Sequence, residues 1–395
     1  MRVMRRTYRP LQGLLGIAFI FLLTLSNDTR AALTPTHSDD TRDRIFIVGQ
    51  DLSATRGYFS SQCCIAPDGV TAYLDFYELR NPDAGFGGLG MDNNGRFLTN
   101  EHSWGAGPVN AYISLKEADV PYISIGLSLT ENEHPGGLDK LASGALDENI
   151  DKLGDFISSI HATVLLRIGY EFDGAWNKGY ENKARFIQVY RRIAERLKKR
   201  GLQNVAFVWQ GSAASVDIIL DQGRLDDMRD WYPGDDVVDW VGLSWFMQPN
   251  EQPSVSYEYP VPTPVELSTN LINIAKAHKK PVLIAEASPQ AFDLSANTTA
   301  YYSPIWDGPS AENIQTLTPD QIWRQWYQPL FDLIAAHPET IRGLAYINVR
   351  WQDQAMWGPP YSSGYWGDSR LEVNPTIAKK FNEAVTEWKT NKGNR

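Results

Sequence analysis

Thr163-Val-Leu-Leu-Arg-Ile-Gly-Tyr-Glu-Phe-Asp-Gly-Ala-Trp-Asn177 begins as a β-branched, almost wholly apolar run and then breaks into Glu171, Asp173, Gly174, Trp176 and Asn177. The apolar part reads as a strand buried on both faces, as in a parallel sheet covered by helices. A carboxylate at the C-terminal end of such a strand, followed by a Gly turn and an aromatic, places chemistry on a rigid rim. The competing reading is a Glu that merely caps the next helix.

Working outward, the same kind of apolar run recurs. Arg44–Asp51, Gly69–Leu79 and Tyr122–Leu129 precede it; Asn204–Gly211, Trp240–Phe246, Pro281–Pro289 and Ile341–Val349 follow. Helical patterns separate most of them. A short helix or turn runs toward Tyr58, one or two amphipathic helices fill Leu138–His161, and further helices are expected at Glu181–Arg200, Pro264–Lys280, Pro319–His337 and Asn374–Thr390. The loop after the second strand is long, Gly-rich and aromatic, with Trp104 near its end. In Glu181–Arg200, Phe186, Ile187, Tyr190, Ile193, Ala194 and Leu197 share one face and Lys/Arg the other, which reads as a solvated basic face. Eight strands alternating with helices predict an α/β fold, a (β/α)8 TIM barrel formed by residues 44–395 as one domain with enlarged C-terminal-face loops. A doubly wound sheet would carry a Gly-rich phosphate turn after its first strand, and Gly49-Gln50-Asp51 is not one.

The N-terminus reads differently. Arg2, Arg5, Arg6 and Arg9 precede an apolar run from Leu11 to Leu25, with small residues at Ala31-Ala32. This is the pattern of a secretory signal peptide over residues 1–31, followed by a polar, flexible arm at 32–43. The expectation is a secreted or periplasmic, monomeric protein with no membrane attachment after cleavage. Removing five Arg and one Asp with that segment moves the formal charge from −10 to −14. Such a chain lacks the basic footprint of a nucleic-acid binder. Cys63 and Cys64 are adjacent, so a vicinal disulfide and two small buried thiols both remain open. His37, His102, His134, His161, His278 and His337 fall in no paired ligand spacing, so neither a metal site nor a cofactor is expected.

A second carboxylate stands where the first predicts it. Pro281-Val-Leu-Ile-Ala-Glu286-Ala-Ser-Pro289 is another buried strand ending in a lone Glu. As strands four and seven of one barrel, both would present a Glu at the same mouth. Two carboxyls about 5–5.5 Å apart are the equipment of a retaining glycosidase. Arg167, an even number of residues before Glu171, can face the barrel interior and supply charge there. Aromatics and amides crowd the same strand ends: Trp209-Gln210, Trp245-Phe246 and Trp351-Gln352, with Tyr301, Tyr302 and Trp306 after the seventh strand. Sugars offer flat C–H faces and hydroxyl edges, which suit Trp176, Trp245, Phe246, Trp351 and Trp104 as platforms and Asn177 and Gln210 as hydrogen bonders.

The two strand-end glutamates together with Trp231-Tyr-Pro-Gly-Asp-Asp-Val-Val-Asp-Trp-Val-Gly-Leu-Ser244 resemble glycoside hydrolase family 26. The resemblance implies Glu171 as general acid/base, Glu286 as nucleophile, and Trp176 and Trp351 as walls of the site. The family's mannanases carry a His before the acid/base, where this chain has Tyr170, and a strand-six Tyr where it has Phe246. Phe has no donor, so another group, Tyr170 or Tyr346, is expected to orient Glu286. The implied function is a secreted retaining endo-β-glycanase acting on mannan, xylan or a β-1,3/1,4-glucan of plant, algal or microbial origin. The alternative is a non-catalytic carbohydrate-binding barrel, which would need neither glutamate.

Overall fold

Strands β1 (Ile45–Val48), β2 (Gly69–Asp75), β3 (Tyr122–Ser128), β4 (Thr163–Ile168), β5 (Val205–Gly211), β6 (Trp240–Trp245), β7 (Val282–Ala287) and β8 (Ile341–Tyr346) close into one barrel in the computed structural model. Each strand pairs in parallel with the next, and β8 closes on β1. The structure describes residues 44–81, 88–103, 105–215, 226–246, 258–300, 314–357 and 365–390. The expected leader 1–31, the arm 32–43, Trp104, Tyr301, Tyr302, Trp306 and the tail 391–395 lie outside the described residues.

Side-chain alternation sorts the strand residues into two cores. Ile45, Ile47, Leu165, Val208, Leu283, Ala285 and Ala345 fill the barrel interior. Their neighbours in sequence, such as Phe46, Leu166, Phe207 and Ile284, face outward into the layer shared with the helices. The mouth-side interior is polar instead, and glycines make room for it. Gly126 of β3 pairs with Arg167, where a Cβ would come within 2.8 Å of the guanidinium. Gly242 of β6 pairs with Gln210, where a Cβ would lie 2.7 Å from the Gln210 Cβ.

β7 is irregular on both sides. Its register skips Ala285 against β6, from Leu243↔Ile284 to Ser244↔Glu286, and shifts again against β8. The extra residue is a bulge, which re-aims the side chain that follows it. Ala285 and Glu286, adjacent in sequence, can therefore both serve the interior.

Around the barrel run α1 (Leu52–Ser61), α2 (Ala111–Ala118), α3 (Gly137–Ser143), α4 (Asp147–Ser159), α5 (Lys183–Lys199), α6 (Pro264–Ala277), α7 (Pro319–Ile322), α8 (Gln328–Ala336) and α9 (Pro375–Thr390). A π turn, Trp323–Tyr327, links α7 to α8 where one regular helix was expected. Caps set the starts: Asp51 accepts from the Ser53 and Ala54 amides, and Thr263 with Glu266 forms a capping box.

Three expectations change, and one open alternative is resolved. The loop after β2 contains α2, a helix too short for its apolar spacing to stand out. The stretch after β7 contributes to a four-stranded sheet ordered Ile314–Thr316, Thr298–Ala300, Phe292–Asp293, Gly367–Asp368. The basic face of α5 is not simply solvated. Arg192 pairs with Asp147, Arg196 with Asp147 and Asp151, and Arg200 with Asp151 and Asp155 of α4. The four-residue spacing on both helices brings one charge per turn into register. Cys63 and Cys64, between α1 and β2, form a vicinal disulfide with Cys63 exposed.

Candidate active site at the C-terminal mouth

β4 delivers Arg167 into the interior, where it is fully buried, and then ends one residue later. The chain turns at Gly169 and at Glu171, both with φ of 55°. A left-handed conformation is costly for a residue with a Cβ and marks a geometry held for a purpose. It is held by Asn177 Nδ2 and the Gly174 amide, which each donate to the Glu171 carbonyl at 2.9 Å. Asp173 Oδ1 accepts from the Ser212 amide at 2.5 Å, tying the turn to the end of β5. Gly174 lets the Trp176 indole fold back, since a Cβ there would meet it at 2.6 Å.

Glu171 accepts from Ser244 Oγ on Oε1 at 2.8 Å and from Trp176 Nε1 on Oε2 at 3.2 Å. Glu286 is buried, and its Oε1 accepts from Arg167 Nη1 and from Gln210 Nε2, the latter at 3.1 Å. Both donors converge on Oε1, so Oε2 has no donor among the described residues. Gln210 Nε2 also lies 3.1 Å from Ser244 Oγ, and Arg167 Nη1 lies 3.1 Å from Gln210 Oε1. The two glutamates are thus joined through two buried polar side chains and anchored on one buried cation.

Electrostatics separates them. Burial, and next the charge of Glu286, push Glu171 up to about 8, against the pull of the Ser244 hydrogen bond. Burial likewise raises Asp173. Tyr73 of β2 and Tyr170 lie edge to face at 5.6 Å, with the Arg167 guanidinium 4.8 Å and 5.3 Å from their ring centres. Burial first and Glu286 second raise both phenols, which stay neutral.

The structure brings Glu171, Glu286, Arg167, Tyr170, Trp176 and Gln210 together. Gln210 is fully buried and holds Glu286, not a sugar hydroxyl. Arg167 and Gln210 thereby take the orienting part expected of Tyr170 or Tyr346. Tyr346 faces outward, with its hydroxyl donating to the Ser369 carbonyl and 2.7 Å from that of Tyr327. Trp245 lies in the outer core, since its neighbour Ser244 takes the inward position. Trp209 is also core, stacked on Phe172 at 4.4 Å. Asn177 serves the Glu171 backbone. Trp351 is 1% exposed, its indole donating to Ser288 Oγ and its ring backing the half-buried Phe246. The sequence reading passed over Tyr73 and Ser244. For Ser244 the signal is strand alternation, which makes it the third member of the inward set Trp240, Gly242, Ser244. Among the described residues no cluster of three His, Cys, Asp or Glu is arranged to hold a metal ion.

A closed (β/α)8 barrel with paired glutamates at the mouth ends of its fourth and seventh strands defines the structural class. Residues 128–307, which carry β4 to β7 and both glutamates, match the sequence model of glycosyl hydrolase family 26. The resemblance read from the fourth, sixth and seventh strands therefore holds. A β-1,3-xylanase of a Vibrio species is 32% identical over 351 residues, covering 87% of this chain and 64% of its own length. A β-1,3-xylanase of an Alcaligenes species is 32% identical over 347 residues, covering 86% and 62%. The chain thus spans under two thirds of each relative. Among solved structures, a family 26 β-mannanase from Bacteroides ovatus superposes with a TM-score of 0.52 at 15% identity, covering 88% of this chain and 90% of that one. That likeness is one of fold.

Proposed function

We propose that the protein is an exported, retaining endo-β-glycanase that cleaves β-1,3-xylan, with residues 44–395 as its catalytic domain. The observation that carries the reading is the asymmetry of the glutamate pair. One carboxyl is raised to about 8, and so can hold a proton near neutrality. The other lies against a guanidinium, with one oxygen that accepts no hydrogen bond among the described residues. Glu286 Oε2 attacks the anomeric carbon while Glu171 protonates the departing glycosidic oxygen, leaving a glycosyl-enzyme. Glu171, now ionised, takes a proton from water as that water opens the ester. Two β-1,3-xylanase relatives support β-1,3-xylan over mannan, as does Tyr170 in the place of the mannanase His.

The test is a panel of β-1,3- and β-1,4-xylans, mannan, and β-1,3- and β-1,4-glucans, with product lengths read by chromatography and anomeric configuration by NMR. The expected result is a ladder of β-1,3-xylo-oligosaccharides released with retention. Glu286→Ala should abolish hydrolysis, and Glu171→Ala should be rescued by azide on substrates with good leaving groups. Binding without turnover by the wild-type chain would overturn the reading in favour of a non-catalytic barrel.

A further inference from the structure

The groups between the two glutamates can be ordered by what each is able to donate. A guanidinium has donors only, so the Gln210 atom 3.1 Å from Arg167 Nη1 is the amide oxygen. An amide's orientation is assigned from its partners, and here a cation on one side and a carboxylate on the other leave one choice. The Gln210 NH2 then directs its two hydrogens to Glu286 Oε1 and Ser244 Oγ, each at 3.1 Å. Ser244 accepts that hydrogen, and its single hydrogen makes the 2.8 Å bond to Glu171 Oε1. The donors thus run one way from Arg167, through Gln210 and Ser244, and end on Glu286 Oε1 and Glu171 Oε1.

This polarity bears on where a proton can rest on Glu171. In a carboxylic acid the carbonyl oxygen is the better acceptor and the hydroxyl oxygen the poorer. The shorter bond, from a buried and already oriented hydroxyl, falls on Oε1. The longer one, 3.2 Å from the 36% exposed Trp176 indole, falls on Oε2. We propose that Ser244, oriented by Arg167 through Gln210, is a positioning residue that holds Glu171 Oε1 as the carbonyl oxygen and keeps the acid proton on Oε2, the oxygen beside the exposed Trp176 indole. The proposal rests on the reading of Glu171 as general acid. In that step the proton on Oε2 passes to the glycosidic oxygen, the C1–O electron pair stays with that oxygen, and Glu286 Oε2 forms the new bond to C1. In the second step Oε2 recovers a proton from water.

The experiment compares wild type, Ser244→Ala and Ser244→Thr on a β-1,3-xylo-oligosaccharide and on a dinitrophenyl β-xylobioside, whose leaving group departs without protonation. Pre-steady-state release of dinitrophenolate isolates the first step. Ser244→Ala should lose at least ~10-fold in kcat/KM on the oligosaccharide and less than ~3-fold in the dinitrophenolate burst rate, as expected when only proton delivery is impaired. The alkaline limb of its oligosaccharide pH profile should move up by roughly half a pH unit or more, because the lost hydrogen bond favoured the ionised form. Ser244→Thr keeps the hydroxyl and should restore both readouts. Equal losses on the two substrates, or an unmoved alkaline limb, would overturn the proposal. If Ser244→Ala does not fold, Ser244→Cys keeps the volume with a weaker donor, and the same inequality between substrates decides. A wild-type chain that hydrolyses no glycan removes the underlying reading, whereas an active wild type with an unmoved variant removes this proposal alone.

Discussion

Replacing Glu171 by Gln should abolish proton donation and, above neutral pH, stabilise the protein. The carboxyl is raised from 4.5 to about 8, chiefly by burial and then by Glu286. Between those values the folded chain retains a proton that the unfolded chain has released, so wild-type stability falls as pH rises through the window. At 1.36 kcal/mol per pH unit the full window is worth roughly 3–5 kcal/mol. For the roughly 300 residues the structure describes, an unfolding entropy near 2.1 cal/mol/K per residue converts this to a Tm difference of ~5–8 °C. The Gln amide cannot accept from both Ser244 and the Trp176 indole, which adds an offset that does not vary with pH. The assay is calorimetric unfolding of both proteins from pH 4.5 to 9. The Glu171→Gln curve should gain on wild type steadily through the window and level off above pH 8. A Tm difference that is the same at every pH would refute the raised pKa and the division of labour built on it.

Arg167→Met should lower kcat by at least ~100-fold, because it removes the charged donor on Glu286 and the anchor of Gln210 together; steady-state kinetics on xylo-oligosaccharides check this. Gly126→Ala should cost ~10-fold or more in kcat while leaving the fold intact, since the new methyl would meet Arg167 Nη2 at 2.8 Å and the Tyr73 ring at 2.7 Å; circular dichroism alongside kinetics separates the two effects. Arg196→Ala, in the ladder between α4 and α5, should cost only about 1 kcal/mol. That loss should shrink at high ionic strength in denaturant titrations, and activity should not change.

Legibility followed the range of the interaction. Apolar runs and their spacing are local, so the strand-four stretch from Thr163 announced both itself and, through its seven counterparts, the barrel. Alternation along a regular strand is local too, which is why Arg167 was placed in the interior from its position alone. Where regularity broke, the residue was legible but its path into the site was not. Glu286 reaches the site through a bulge in β7 that no parity argument contains. Glu171 reaches it from beyond the strand, on a left-handed turn held by Asn177 and Gly174. Gln210 was read as a sugar contact and is a buried strut, while Trp245 was read as a platform and is core. A polar or aromatic residue near a strand end looks the same in sequence whether it points in or out.

The sequence by itself determined the class of fold, the two strand-end glutamates and the family they resemble, because these depend on residue type and on periods of a few residues. Tertiary structure decided how each glutamate is held. The difference between a carboxyl that meets one hydroxyl and one laid against a guanidinium comes from which side chains of other strands, Arg167, Gln210 and Ser244, lie within hydrogen-bond reach. Those distances are set by the closure of the barrel, across separations of 43 to 119 residues for Arg167 alone, and by two glycines that leave the space for them.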